Sequence, residues 1–404
     1  MKNRILFGFA LFGALTLTSC ADDDTADITI TDNSVVNNTT TGTGGGNTGG
    51  QTIFLSGTYT EDLELDANNS YKVNGSLIMA PGTTLRIPAG MTLEALAAGA
   101  DVYVAISAGA QIEAIGTSDN PIVFTSDAST PAAGDWGGLI ILGNAPVNSV
   151  TGTATATSEI ASLPYGGTNP TDNSGTLRYV RVQYSGGSAD GQSENNGISF
   201  YGVGSGTIVE YVQVFEGKDD GIEYFGGTVN VRFSAVVGAQ DDSIDWTEGY
   251  TGTITDAYVR HGADHDKGIE ADGFNTDIGN NSNPVYFSAP TIDNLTIIGL
   301  GSGTSSEAIR LRAGTRAMFT NVVLEGYNEG FDLDTDPTVP ADHPTGEGVV
   351  SGDTQVTDIT FTDINIKVKN DTGIMFTEAD LISGDGNGTG TDYSTWGAGW
   401  TVGN

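Results

Sequence analysis

Acidic residues between positions 217 and 277 carry the densest potential chemistry in the chain. Asp219-Asp220 precedes one short alternating apolar run, Asp241-Asp242 precedes the next, and Asp264-His265-Asp266 precedes a third. A second set, Glu223, Asp245 and Glu270, falls within the runs, with Glu248 and Asp272 flanking it. If the runs stack as strands, equivalent carboxylates stand about 4.8 Å apart at one corner. Like charges that close raise carboxylate pKa values or demand a cation. Hard oxygen ligands at flexible spacing suit calcium, which takes about 6–8 of them. Asp219, Asp220, Glu223, Asp241, Asp242, Asp245, Asp264, Asp266 and Glu270 are therefore candidate Ca2+ ligands. A solvated acidic edge without metal is the competing reading.

The same groups offer acid–base chemistry. Inverting glycosidases hold two carboxyl groups roughly 6.5–9.5 Å apart. Adjacent rungs are too close for that, whereas two rungs fit, as for Asp220 with Asp264 or Asp266. The catalytic candidates are Asp220, Asp241, Asp242, Asp266, His261 and His265. Arg310 and Arg312 alternate with Ile309 and Leu311 and should point outward, with Arg316 nearby. They form either a basic patch for an anionic ligand or the counter-charges of the acidic wall, and the second reading is favoured. Asp332-x-Asp334-x-Asp336 is a weaker metal candidate. The Asp380–Asp392 loop lacks the Glu and the flanking helices of an EF-hand. His343 sits in a Pro/Asp loop that reads as solvated. Trp136 and Trp246 could stack on sugars, but core positions suit them better.

These residues need a scaffold that repeats. Segments such as TLRYVRVQYSG (176–186), TIVEYVQVFEG (207–217), VNVRFSAVVGA (229–239) and TITDAYVRHGA (253–263) lay over one another at 22–25 residues. Each alternates apolar and polar residues and ends at a turn. Shorter strands follow, and Ile222, Ile244 and Ile269 fall in one column that should stack in the core. Glycine is 58 of 404 residues, about twice the usual share. The pattern predicts an all-β, single-stranded right-handed parallel β-helix over residues 52–404. At about 23 residues per coil it would hold roughly 15 rungs. Residues 52–75 and the Trp396/Trp400 tail are the expected end caps. The insertions at 146–175, 273–289 and 336–355 are long enough to fold over a face.

The N-terminus reads as an export signal. Lys2 and Arg4 precede the apolar run Ile5–Leu15, which is too short to span a bilayer. Leu17-Thr18-Ser19-Cys20 resembles the bacterial lipobox, which implies cleavage after residue 19 and lipid on Cys20. Residues 20–51 are rich in Asp, Thr, Asn and Gly, and predict a flexible tether with a reach of about 30 Å. The chain has one cysteine, so disulfides are not expected. The formal net charge is −36, which disfavours nucleic acid and anionic membrane surfaces as partners.

The stretches SLIMAPGTTLRIPAGMTLEA (76–95), NPIVFTS (120–126), GDWGG (134–138) and DNLTIIGLGSGTSSEAIRLRAGTRAMFTNVVLEGYNEGFDLDTD (293–336) resemble a largely uncharacterised family of Bacteroidetes β-helix lipoproteins. Asp22-Asp23-Asp24 behind Cys20 is similar to the surface-export signal of such lipoproteins. The resemblance implies a lipid-anchored protein at the outer-membrane surface. DDGIEYFGGTVNVRFSAVVGAQDDSIDW (219–246) resembles the cadence of polygalacturonase-like hydrolases, whose Asp-Asp pair Asp241-Asp242 matches. Glu223 stands where their first aspartate would be, Asn275-Thr276-Asp277 follows the pair instead of preceding it, and His261-Gly262 lacks a leading glycine. The favoured reading is a binding or accessory protein for a glycan, nutrient or envelope partner. A polysaccharide hydrolase or lyase at residues 219–272 is the alternative, and a purely structural surface protein the third.

Overall fold

The computed structural model describes residues 50–150, 154–188, 195–275, 284–334 and 345–403. Cys20, the signal segment, all of the tether but its last residues, Thr276-Asp277, Asp336 and His343 lie outside the described residues.

Short apolar–polar alternation yields short strands, and these join in parallel ladders within one 22-stranded sheet. One stack runs from Leu63–Glu64 through Thr84–Ile87, Gln111–Ile115, Gly175–Gln183, Ile208–Phe215, Asn230–Val237, Thr253–Arg260, Thr291–Ile298, Ala317–Leu333 and Thr354–Asn370 to Ile382–Asp385. Each strand pairs with its equivalent one turn later, so the chain winds as a parallel β-helix, right-handed as parallel crossovers are. Among the described residues, eleven strands occupy this stack, fewer than the expected rungs. The difference is taken up by long insertions, one of which makes its own antiparallel pair, Ala156–Thr157 with Pro164–Tyr165.

Ile198, Ile222, Ile244, Ile269 and Ile309 stack in one inward column and are at most 2% exposed. Trp136 and Trp246 are fully buried, which places both in the core instead of on a sugar-facing surface.

The long strands bend at one shared position. Tyr179, Tyr211, Phe233, Asp256, Asn294, Asn321 and Asp358 all take positive φ, between 51 and 59°. Left-handed backbone is unfavourable for residues with a Cβ, although Asn and Asp tolerate it. Here the stack offsets the strain. Tyr179 and Tyr211 lie face to face at 4.3 Å, Tyr211 and Phe233 at 4.4 Å. Asn294 donates to Asp256, and Asn321 to Asn294.

The C-terminal tail is not an end cap. It turns back and lies lengthwise across the rungs beside this bend. Thr360 Oγ1 donates to the Gly388 carbonyl, the Thr391 N–H to Thr296, and Arg181 to the Trp400 carbonyl, while the Gln213 amide both donates to and accepts from Val402. Trp400 is fully buried against the edges of Tyr179 and Tyr211. The aromatic ladder left by the bend needs an apolar cover, and the tail's tryptophans supply it.

Candidate functional site

The stacked isoleucines fix the register of the wall that bears the acids. Side chains alternate along a strand, so the residue after each Ile faces outward. That outward column reads Ser199, Glu223, Asp245, Glu270, Arg310, Asp332, Lys369. A second column, three residues earlier, reads Asn196, Asp220, Asp242, Lys267. The ladder expected from the sequence is present, with one correction. The turn His261–Gly268 is two residues longer than Gly238–Ser243, so Asp266-Lys267, not Asp264-His265, align with the aspartate pairs; the Asp266 N–H donates to the Asp241 carbonyl. Asp264 is exposed and outside the clusters. Counting back from each isoleucine would have found Lys267, since Asn196-Gly, Asp220-Gly, Asp242-Ser and Lys267-Gly each precede one.

Part of the ladder is structural. The Asp220 carboxylate accepts the Asp242 N–H at 2.9 Å, and the Asp242 carboxylate accepts the Lys267 N–H at 2.7 Å. Each acid thus ties down the backbone of the next rung. The lower rungs are charge-compensated. Lys267 Nζ lies 2.5 Å from Asp266, 2.9 Å from Glu270 and 3.9 Å from Asp242. Arg312 holds Glu270 and Asp272 at 2.5 and 2.6 Å, and Arg310 holds Asp334 at 2.6 Å. Both arginines act as counter-charges.

The upper rungs lack such compensation. Among the described residues, no Lys or Arg forms an ion pair with Asp220, Glu223 or Asp245, whose candidate ligand atoms lie within 4.8 Å of one another. Burial, then the neighbouring Asp245, push the Asp220 and Glu223 carboxyls well above their ordinary range. Burial and then Glu270 do the same to Asp242 and Asp245. Asn196 donates to Glu223 at 2.5 Å and partly opposes the shift. Further along, burial and Asp332 raise Glu307 to about 7. His261 is a poor catalytic base. It is buried, its hydroxyl neighbour is Tyr327, and burial plus His265 lower it to about 3.

The insertion after Leu142 roofs this wall. Tyr165 packs on Tyr201 at 4.9 Å, and Tyr201 stacks on Phe225 at 4.0 Å. The hub is Glu248, 3% exposed, which accepts from Tyr165, Ser149 and Asn275. Asn148 donates to the Gly273 and Tyr286 carbonyls and closes the same seam. Sequence alone gave no signal for this hub, because its partners are far apart along the chain. Glu248→Ala strands buried donors and should lower stability by about 1–3 kcal/mol. Hydrogen exchange should show protection lost in residues 156–165, with Glu248→Gln retaining most of it; unchanged exchange in the alanine variant would remove the hub role.

A parallel β-helix with one charged, partly roofed wall defines the class of molecule. The chain matches the model of the pectate-lyase-like beta helix domain over residues 57–401 and belongs to that family. No curated protein and no solved structure matches it. No helix among the described residues is long and apolar enough to cross a membrane.

Proposed function

We propose that this chain is a cell-envelope binding protein, lipid-anchored at Cys20, whose roofed acidic wall takes Ca2+ and contributes to holding a polysaccharide. The reading is carried by the contrast along the wall: among the described residues, the lower carboxylates form ion pairs with Lys267, Arg310 and Arg312, and Asp220, Glu223 and Asp245 form none. The donor set fits a hard cation. Asp220, Glu223 and Asp245 offer mutually close oxygens, whereas Glu270 in the neighbouring triad with Asp242 and Asp245 is already held by Lys267 and Arg312. Thr247 Oγ1, outward on the same strand as Asp245, is buried without a hydrogen-bond partner. The lipobox-like Leu17–Cys20 and acidic Asp22–Asp24 support placement at the outer-membrane surface, as in Bacteroidetes lipoproteins.

Catalysis is the second reading, favoured by the family's pectate-lyase-like description. Against it stand the ion-paired arginines and the buried His261. Polysaccharide turnover lost in Asp242→Ala, with folding intact, would favour the enzyme; glycan binding without turnover favours the binder.

The metal reading has a pH signature. A carboxyl raised in the folded state binds more protons there than when unfolded, so without metal, stability falls as pH rises. The window opens at the ordinary carboxylate pKa, near 4, and reaches at least the value of about 7 held by Glu307. Denaturation midpoints should be lower at pH 8 than at pH 5. Ca2+ should recover about 2.7 kcal/mol at pH 8 when present at roughly 100 times its Kd. Asp245→Asn should abolish the Ca2+ response. No calorimetric Ca2+ binding together with a flat pH profile would overturn the site.

A further inference from the structure

The tail and the body line an open cleft of about 520 Å³, away from the acidic wall. Tyr258 and Thr296, in register on neighbouring strands, form one side. Asp392, Tyr393, Ser394 and Ala398 of the tail form the other. Tyr258 and Tyr393 stack at 3.8 Å with an interplanar angle of 8°, so the pair joins the two sides and forms a rigid aromatic flank at one end of the cleft.

The polar groups around that flank are placed and partly unspent. Thr296 Oγ1 accepts the Thr391 N–H and keeps its proton to donate. Ser394 Oγ donates to Asp392 and keeps its lone pairs. Asp392 is exposed, and bonds from Thr395 and Ser394 hold its carboxyl below the ordinary range, so it stays a charged acceptor. Spaced donors and acceptors beside an aromatic flank suit a ring that carries several hydroxyl groups. The carboxylate, in a chain of net charge −36, disfavours an anionic ligand. The volume lies within the roughly 300–1,000 Å³ of small-molecule sites.

We propose that this cleft binds a neutral saccharide unit and that the bound sugar ties the tail to the body. The proposal is independent of the acidic wall, because no residue is shared. Titration calorimetry on the full chain with neutral mono- and disaccharides, and with polymers ending in the same units, tests it. Binding of the small sugars indicates a free ligand and binding of polymers alone a chain end; either supports the proposal when Ala398→Phe weakens it and Asp245→Asn does not, and polymer binding lost only in Asp245→Asn overturns it. Ala398→Phe, which fills the exposed side of the cleft, should weaken binding by about tenfold or more. Thr296→Val, which removes one donor, should weaken it less, and Asp245→Asn should leave it unchanged. Because wall variants act on the other site, loss of the Ca2+ reading would not touch this result. Wild-type affinity in Ala398→Phe with native circular dichroism, no binding of any neutral sugar, or preference for uronic acids would overturn it.

Discussion

Trp400→Ala should destabilise the chain by about 3–5 kcal/mol, as large-to-small changes at buried tryptophans do. The side chain has no solvent exposure and meets Tyr179 at 5.5 Å and Tyr211 at 6.2 Å, both edge to face. Its Nε1 donates to the Trp396 carbonyl. Removing it opens a cavity over a ladder whose strained backbone depends on that packing. In a solenoid each rung contacts chiefly its neighbours, so damage stays local. The tail crosses many rungs, so its release should be felt along the whole bend. Urea denaturation gives the size of the loss. Limited proteolysis gives its place, with cutting expected first in residues 386–403. Trp396→Ala, half-buried, should have a smaller effect. A loss under about 1 kcal/mol for Trp400→Ala, typical of exposed surface sites, would mean that the tail is not structural.

Lys267→Met should be comparably damaging, for an electrostatic reason. Lys267 is 7% exposed, and although burial opposes its charge, Asp242 and Glu270 hold the ammonium above its ordinary pKa. Glu270 keeps Arg312 after the substitution, whereas Asp242 loses its only ion pair among the described residues. Breaking one side of a buried pair costs about 3–5 kcal/mol. Since Asp242 can protonate, the loss should be largest near pH 8 and shrink toward pH 5. The double variant Lys267→Met with Asp242→Asn should recover much of the stability, and the four-way cycle isolates the coupling. An additive cycle, or a loss independent of pH, would sink this account.

The register of the wall was legible because isoleucine at one inward position needs no context to recognise. Ile222, Ile244 and Ile269 stack as their alternation required. Turn length misled instead. Two extra residues between Arg260 and Ile269 moved Asp264 out of the ladder and put a cation, Lys267, into it. The bend at Tyr179, Tyr211 and Phe233 gave no signal either, since aromatic residues in alternating strands read as ordinary sheet and nothing marks them as left-handed. The lengthwise tail was unreadable for a related reason. Its partners, such as Gln213 for Val402, lie 189 positions away and follow no period.

The tail has a consequence for how the chain is made. Ribosomes deliver residues from the N-terminus, and rungs of a solenoid can add one upon another as they emerge. The tail, synthesised after the coils, returns to rungs laid down some two hundred residues before it. The seam beside the bend can therefore close only after residues near Trp400 have emerged, and until then the strained ladder lacks its cover. A chain halted before Trp400 leaves Tyr179 and Tyr211 without the ring that packs on their edges.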